Sequence, residues 1–189
     1  MMSWRWSTPG FRFLVIGLAI AAGTMACSGD DDGAEDPGIE TQERSGMQVT
    51  SPAFAEGGTI PQKYTCDGSD LSPPLTLTSL PPAASSLVLI MEDPDAPRDT
   101  WDHWVAFNIP VVADIPEDVG SLGTDGTNSW DRTGYGGPCP PSGTHRYFFK
   151  VYALDGGLDL AAGADKAEVL EAMSGHVLAE ATLMARYGR

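Results

Sequence analysis

Short apolar segments separated by proline- and glycine-rich turns recur along this chain from Met47 onward. Met47–Phe54 alternates as a short strand, and Ser85–Glu92 (SSLVLIME) is a continuous apolar run, which predicts a buried strand. Asp102–Pro110 (DHWVAFNIP) alternates and ends at a proline, as a strand would. This alternation predicts one shared face for His103, Val105, Phe107 and Ile109.

A further strand is predicted over Tyr147–Leu154, and its extended approach (THRY) places His145 and Tyr147 on one face. The period then changes. Ala164–Met173 has helical spacing and begins with an acidic capping pair, which predicts a helix. His176–Tyr187 fits either a second helix or an edge strand, and periodicity does not decide between them.

Two long segments lack any such period. Residues 56–75 and Asp114–Arg132 are rich in glycine, proline and aspartate and are predicted as loops. Short strands with proline and glycine turns, and little helix, predict a mainly β fold: an antiparallel sandwich with one or two helices in its C-terminal region. Nothing alternates as a series of βαβ units should.

The segment Gly134–Tyr147 (GYGGPCPPSGTHRY) combines four glycines and three prolines before an aromatic strand. Glycine permits unusual backbone angles and proline fixes φ, so this composition predicts a rigid loop. Rigid loops that end at a strand are frequent places for binding sites.

The first 26 residues resemble an export signal. Arg5 and Arg12 precede a short apolar run, Phe13–Ala22, which is too short to span a bilayer as a helix. Thr24-Met25-Ala26-Cys27 resembles a bacterial lipobox, although threonine replaces the usual leucine. We therefore predict a signal peptide over residues 1–26 and lipidation of Cys27, so that the protein is anchored in the bacterial cell envelope. Ordinary secretion with nearby cleavage, or an uncleaved anchor, are the alternatives.

Acidic residues and small polar residues dominate residues 27–46, which predicts a flexible tether ahead of one domain over residues 47–189. The whole chain has 26 acidic and 11 basic residues and a net charge of −15. Such a charge excludes a nucleic-acid groove and direct adhesion to anionic lipid, so membrane contact is expected through a lipid anchor alone. Any anion must be held by local groups.

Two cysteines remain if Cys27 is lipidated. An exported protein permits a disulfide between Cys66 and Cys139, but sequence does not show whether their Cα atoms are close enough. Two free buried thiols are the equal alternative.

Three segments that are distant in sequence bring polar groups to strand ends. They are DPDAP from Asp93, WDHWVAFNIP from Trp101, and GYGGPCPPSGTHRYFFKVYALD from Gly134; GHVLAEATL follows from Gly175. Together these motifs resemble the bacterial branch of the phosphatidylethanolamine-binding protein family, also called Raf-kinase-inhibitor-like proteins, over Met47–Tyr187.

The resemblance implies a sandwich of two antiparallel sheets with a small anion-binding cavity at one end, and a closing strand within His176–Tyr187. It also implies that Gly137, Pro140 and Pro141 form the cavity's rim. Asp102 departs from the pattern, because some members have a second histidine there. The residues implied to line the cavity are Asp93, Trp101, His103, His145 and Tyr147.

Elementary chemistry agrees with an anion site. Imidazole N–H, tyrosine O–H and loop N–H groups can bind phosphate oxygens without a metal or other cofactor. Asp93 is expected either to orient a histidine through its other ring nitrogen or to meet the ammonium of an ethanolamine head group. Zinc held by His103, His145 and Asp93 is a weaker alternative, since no short ligand spacing is present.

These features favour a binding protein for a small phosphate-like anion or phospho-headgroup, acting as a carrier or regulator. An inhibitor or interaction partner of an envelope kinase or protease is the alternative. A weak hydrolase is less favoured, because no nucleophile and base stand together in a recognisable motif. Relatives suggest a homodimer, which nothing in the residues demands.

Overall fold

The computed structural model describes residues 46–189. The predicted signal peptide, most of the predicted tether and Cys27 lie outside the described residues. The strands are β1 (Gln48–Thr50), β2 (Leu75–Thr78), β3 (Ser86–Asp93), β4 (Trp101–Ile109), β5 (Asp114–Ile115), β6 (Thr124–Asp125), β7 (Thr144–Leu154) and β8 (Val177–Gly188). One 3₁₀ turn, Gln62–Tyr64, and one helix, α1 (Lys166–Ala172), complete the part of the chain that the structure describes.

Two antiparallel sheets form the fold, as predicted. One has the order β1-β2-β5, and the other has the order β6-β4-β3-β7-β8. Between them lies the larger core, to which β2 contributes Leu77 and β3 contributes Leu89 and Met91. A smaller core on the other face of the five-stranded sheet contains Val169 and Met173 from the region of α1.

The continuous apolar run of β3 follows from this layering. Leu87, Leu89 and Met91 belong to the larger core, whereas Val88 and Ile90 belong to the smaller one. A strand that is buried on both faces needs apolar residues at every position, which explains why the run lacks alternation.

The predicted single face of β4 is wrong. Val105 and Phe107 pack in the smaller core, but Ile109 packs in the larger one. The pairing of β4 with β3 shifts register in this region, and Asn108 has a φ of 52°. The inserted residue of a β-bulge changes the face on which the following side chains lie.

A second register shift occurs at the start of β4, where Met91 pairs with Trp104 and Glu92 pairs with Asp102. His103 is therefore the extra residue of a bulge. The side chain of His103 packs edge-to-face against Tyr147 of β7, with ring centroids 5.2 Å apart. Bulges redirect side chains, and this one directs His103 toward the end of the sheet where the candidate site lies.

The C-terminal segment is a strand, as the family resemblance implied, and the alternative of a second helix is wrong. β8 pairs with β7 along its length, and its buried positions alternate through Ala179, Ala181, Leu183 and Ala185. The predicted helix is confirmed: Asp165 accepts from the Glu168 N–H, and the Glu168 carboxylate accepts from the Asp165 N–H. Within the described part of the chain, no helix is long and apolar enough to cross a membrane.

Candidate functional site

A cavity of about 220 Å³ opens where β3 ends and where β4 and β7 begin. Asp93 is the last residue of β3 and pairs directly with Trp101, the first residue of β4. His145 is the second residue of β7. Antiparallel neighbours alternate in direction, so these three strand ends meet at one edge of the sheet. The cavity is lined by Asp93, Ala96, Pro97, Trp101, His103, Trp130, Cys139, Pro141 and His145.

His145 and Asp93 form a buried pair, with the ring Nδ1 2.7 Å from the carboxylate Oδ2. The other carboxylate oxygen accepts the backbone N–H of Asp95 at 2.8 Å, which closes a turn after Pro94. Both oxygens of Asp93 therefore act as acceptors within the protein. The Asp93 carboxylate orients His145 through Nδ1.

His103 is fixed in the same way by a backbone carbonyl. Its Nδ1 lies 2.7 Å from the oxygen of Gly136, and a carbonyl oxygen can only accept. Burial lowers the pKa of His103, although the Gly136 carbonyl and the Asp93 charge oppose this shift. The ring is thus neutral at neutral pH, with its proton on Nδ1.

The Nε2 atoms of both rings remain for a ligand. Neither Nε2 atom has a hydrogen-bond partner among residues 46–189. Neither is fully enclosed, because the Tyr147 hydroxyl is the one enclosed side-chain polar atom without a partner in this range. Both histidines line the cavity, so both Nε2 atoms are accessible from it. Asp93 therefore orients His145 through one ring nitrogen and leaves the other nitrogen for a ligand.

Tyr147 lies beneath His103 and does not line the cavity. Its side chain is fully buried, and burial together with the Asp93 charge raises the pKa of its hydroxyl, which therefore keeps its proton. An unpaired buried hydroxyl costs free energy.

Asp95 is adjacent to the site but turned toward Arg146. The backbone N–H and the guanidinium of Arg146 both donate to its carboxylate, and they hold the pKa of Asp95 at about 2. Arg146 thus satisfies a neighbouring acid and does not reach the cavity lining. Asp102, the position that departs from the family pattern, pairs with Lys166 away from the cavity.

The Gly/Pro loop is clamped to the segment that contains the 3₁₀ turn. Cys66 and Cys139 form a disulfide, with Cα atoms 5.4 Å apart, which resolves the alternatives left open by the sequence. Three hydrogen bonds reinforce the clamp. They are Tyr135 Oη to Tyr64 O at 2.6 Å, Gly137 N to Asp70 Oδ1 at 2.7 Å and Cys66 N to Pro138 O at 3.2 Å.

The predicted rim is only partly correct. Pro141 lines the cavity, but Gly137 and Pro140 are buried beside it and support the loop. The N–H of Gly137 donates to the Asp70 carboxylate. A Cβ at Gly137 would come within 2.6 Å of the Tyr64 carbonyl oxygen. Close backbone approach, rather than ligand contact, explains this glycine.

Trp130 lines the cavity, as do Ala96 and Pro97, although the sequence did not reveal them as site residues. Trp130 contacts Trp101 and His103 edge-to-face, at centroid distances of 5.4 and 4.9 Å, and the Arg132 guanidinium lies over its ring. Trp130 falls in the aperiodic segment Asp114–Arg132, so no pattern distinguished it from a core residue. Nearly two-fifths of Trp130 is exposed, as is a similar fraction of Trp101.

The structure does not support the alternative zinc site with His103, His145 and Asp93 as ligands. No cluster of three or more histidine, cysteine, aspartate or glutamate side chains suited to a metal occurs in the described part of the chain. Asp93 faces Nδ1 of His145, not a shared point with the two Nε2 atoms.

Known proteins resemble this chain in both sequence and fold. A UPF0098 protein of Methanothermobacter thermautotrophicus is 52% identical over 151 residues, which is 76% of this chain and 99% of the relative. The crystal structure of a phosphatidylethanolamine-binding protein homologue from Chlamydia trachomatis matches with a TM-score of 0.74 and 44% identity, over 77% of this chain and 99% of that chain.

The crystal structure of YbcL from E. coli, described as a member of the mammalian PEBP family, matches with a TM-score of 0.70 and 30% identity. That match covers 76% of this chain and 98% of YbcL. The sequence model of one family, phosphatidylethanolamine-binding protein, matches residues 50–188, which is most of the chain. The chain therefore belongs to the phosphatidylethanolamine-binding protein family.

Proposed function

We propose that this protein binds a small phosphate-like anion or phospho-headgroup in the cavity between Asp93, His103 and His145, and acts as a carrier or regulator. The observation that carries the proposal is the convergence of two oriented histidine rings on one cavity, each with an Nε2 that has no partner among residues 46–189.

The size of the cavity supports a small ligand. Its volume of about 220 Å³ is below the roughly 300–1,000 Å³ that is usual for drug-sized ligands. The polar groups lie deep, whereas Trp101, Trp130 and Pro97 form an apolar mouth. A ligand with a phosphate-like group and a short substituent would place each part in a matching environment.

Export to an oxidising compartment is part of the proposal. The Cys66–Cys139 disulfide supports it, because disulfides persist in the periplasm and outside cells and are rare in the cytosol. A lipid anchor at Cys27 would then hold the domain at the cell envelope.

Calorimetric titration of the purified protein with inorganic phosphate and with phosphoethanolamine tests the proposal. We expect saturable binding that weakens about tenfold or more in His145→Ala, because one of the two rings is lost. His176→Ala is the matched control, since His176 also pairs with an aspartate through Nδ1 but is exposed and does not line the cavity. Absence of saturable binding, or an equal loss in both variants, would overturn the proposal.

A protein-partner role is the second candidate. Trp101 and Trp130 are exposed side by side at the cavity mouth, and exposed tryptophans are frequent anchors of protein interfaces. Recovery of a kinase or protease from envelope extract should then fall with Trp130→Ala; equal recovery counts against this role. A hydrolase gains no support, because Cys139 is held in the disulfide and offers no thiolate.

A further inference from the structure

We infer that the Cys66–Cys139 disulfide is a modification site for a small thiol, which opens the bond at Cys139 and is retained there as a mixed disulfide in the cavity. Both cysteines are exposed residues, and their bond joins the Gly/Pro loop to the segment of the 3₁₀ turn. Exposed disulfides are the labile and regulatory ones, whereas structural disulfides resist reduction. The place of the reaction does not depend on the anion-binding function proposed above.

Cys66 provides the sulfur that leaves. In thiol–disulfide exchange a thiolate attacks one sulfur and the other departs as a thiolate, and departure is faster when the pKa of the leaving thiol is low. The Arg189 guanidinium donates to Cys66 Sγ, with Nη2 3.1 Å from the sulfur. A neighbouring cation stabilises a thiolate. The contact therefore makes Cys66 the better leaving group.

Arg189 is held beside this sulfur by further contacts. Its guanidinium donates to both oxygens of the Asp67 carboxylate, and its backbone N–H donates to the Gly143 carbonyl at 3.0 Å. Asp67 also accepts from the Tyr187 hydroxyl at 2.7 Å. Asp67 is the residue after Cys66, and these two donors compensate its negative charge.

Cys139 provides the sulfur that is attacked. It lines the cavity, so a thiol that enters the cavity reaches it, and no lysine or arginine is among the described lining residues. Of the two imidazoles there, His145 is paired with the Asp93 carboxylate, and burial lowers the pKa of His103. A thiolate at Cys139 would therefore lack the guanidinium partner that a thiolate at Cys66 has.

The Cys66 thiolate can close the bond again. Hydrogen bonds keep the two arms of the clamp within reach, because the Cys66 N–H donates to the Pro138 carbonyl at 3.2 Å and the Gly137 N–H donates to Asp70 at 2.7 Å. Cys66 then attacks Cys139 Sγ and expels the small thiolate. Opening and closure each form one S–S bond and break one. The thiol gives its proton to water before attack and regains it on release, so the cycle consumes no oxidant or reductant.

The cavity limits the thiol to a small one. Its volume is about 220 Å³, and Trp101, Trp130 and Pro97 lie at its mouth. A substituent of a few carbon atoms on Cys139 would fill space that the anion of the proposed function needs. The net charge of −15 favours an uncharged or cationic thiol over an anionic one. Cysteamine, a small cationic aminothiol, is therefore the probe.

Peptide mass spectrometry of the full chain tests the place of the reaction. N-ethylmaleimide first blocks any free thiol, cysteamine is then added briefly in limited amount, and iodoacetamide traps the opened bond. We expect cysteamine on Cys139 and the acetamide group on Cys66, about threefold or more in excess of the reverse arrangement. Equal labelling, cysteamine mainly on Cys66, or a bond that resists cysteamine under conditions that open glutathione disulfide would overturn the inference.

Arg189→Gln removes the cation beside Cys66 Sγ. Opening by cysteamine should slow by a factor of about three or more, and the preference for Cys139 should fall, whereas Arg189→Lys should retain part of both. Lys63→Gln is the matched control, because Lys63 is an exposed cation of the same segment that pairs with Glu117 instead of the sulfur. Equal opening rates in the wild type and a folded Arg189→Gln variant, with folding established by thermal unfolding, would contradict the inference.

The effect on the cavity is measured separately and rests on the proposed function. Cys66→Ser treated with cystamine should carry a stable cysteamine group on Cys139 and bind inorganic phosphate about tenfold or more weakly than the untreated variant, because the group takes the space of the anion. The double variant Cys66→Ser, Cys139→Ser should not respond to cystamine. Unchanged affinity after modification would contradict a group held in the cavity. Absence of phosphate binding before modification would instead overturn the proposed function, and the labelling pattern would still decide the inference.

Discussion

At the scale of single residues, Tyr147 offers the sharpest contrast between stability and binding. Its hydroxyl is fully buried and unpaired in the described chain, and an unsatisfied buried polar group costs free energy. Tyr147→Phe should therefore raise the free energy of unfolding by up to about 1 kcal/mol. The same change should leave phosphate binding unchanged, because the hydroxyl is enclosed and Tyr147 does not line the cavity. Urea denaturation and calorimetry measure the two effects, and clear destabilisation would show that the hydroxyl already has a partner.

Asp95 provides a pH-dependent prediction. Arg146 holds its pKa at about 2, below the roughly 3.9 of an unfolded aspartate. Its contribution to stability is therefore complete above about pH 4 and is lost as the pH falls toward 2. The difference in thermal midpoint between the wild type and Arg146→Gln should shrink over that interval. Arg98→Gln, at another exposed arginine, should show no such trend; a difference that is constant with pH would contradict the assignment.

Site residues differed in how far the sequence revealed them. Asp93, Trp101, His103 and His145 lie in motifs that resemble a known family, and the structure brings all four to one cavity. Trp130 lies in a segment without periodicity, and its position depends on how the loop folds back over β4. The protons on the rings also depend on partners far away in sequence, such as Gly136 for His103. A motif names a residue but not its hydrogen-bond partners.

At the scale of elements, the bulge at Asn108 determines on which face of the sheet the neighbouring side chains of β4 lie. Asn108 has a φ of 52°, and its side chain donates to the Leu158 carbonyl and accepts the Leu158 N–H. Asn108→Ala should reduce the free energy of unfolding by about 2–3 kcal/mol, through two lost hydrogen bonds and a strained backbone. Asp118→Ala, at a similar φ of 54° on an exposed loop, should cost clearly less. Equal costs would contradict this role.

The disulfide clamp yields a second prediction at this scale. Cys66 and Cys139 are 73 residues apart, and Cys139 lines the cavity. The double variant Cys66→Ser, Cys139→Ser should lose about 2–4 kcal/mol of stability and bind phosphate more weakly. Dithiothreitol should affect the wild type in the same way but leave the double variant unchanged. Full phosphate affinity in the reduced protein would show that the three hydrogen bonds suffice to hold the rim.

Elements were predictable where one physical signal dominated. The apolar run of β3 and the capped helix α1 were found because burial and capping each leave a local pattern. The face assignment of β4 was wrong because bulges break the two-residue period without any change in composition. In β8 the alternation runs through small residues, mainly alanine, which suit a helix as well as a strand. Short strands β5 and β6 escaped detection because two residues carry no period.

At the scale of the whole molecule, the negative net charge of the chain opposes the binding of an anion. The chain has a net charge of −15, and no lysine or arginine is among the described residues that line the cavity. Long-range attraction therefore does not draw an anion to this protein. Specific hydrogen bonds must hold it, and added salt should change its affinity little compared with a site built on cations.

The central claim is that His103 and His145 together hold the anion. Side-chain ¹⁵N NMR spectra of the full chain, recorded during titration with inorganic phosphate, test it most directly. The account predicts that the Nε2 signals of both rings shift with a single dissociation constant, while those of His176 stay in place. Immobile signals from His103 and His145 at saturating phosphate, or an equal shift of His176, would contradict it.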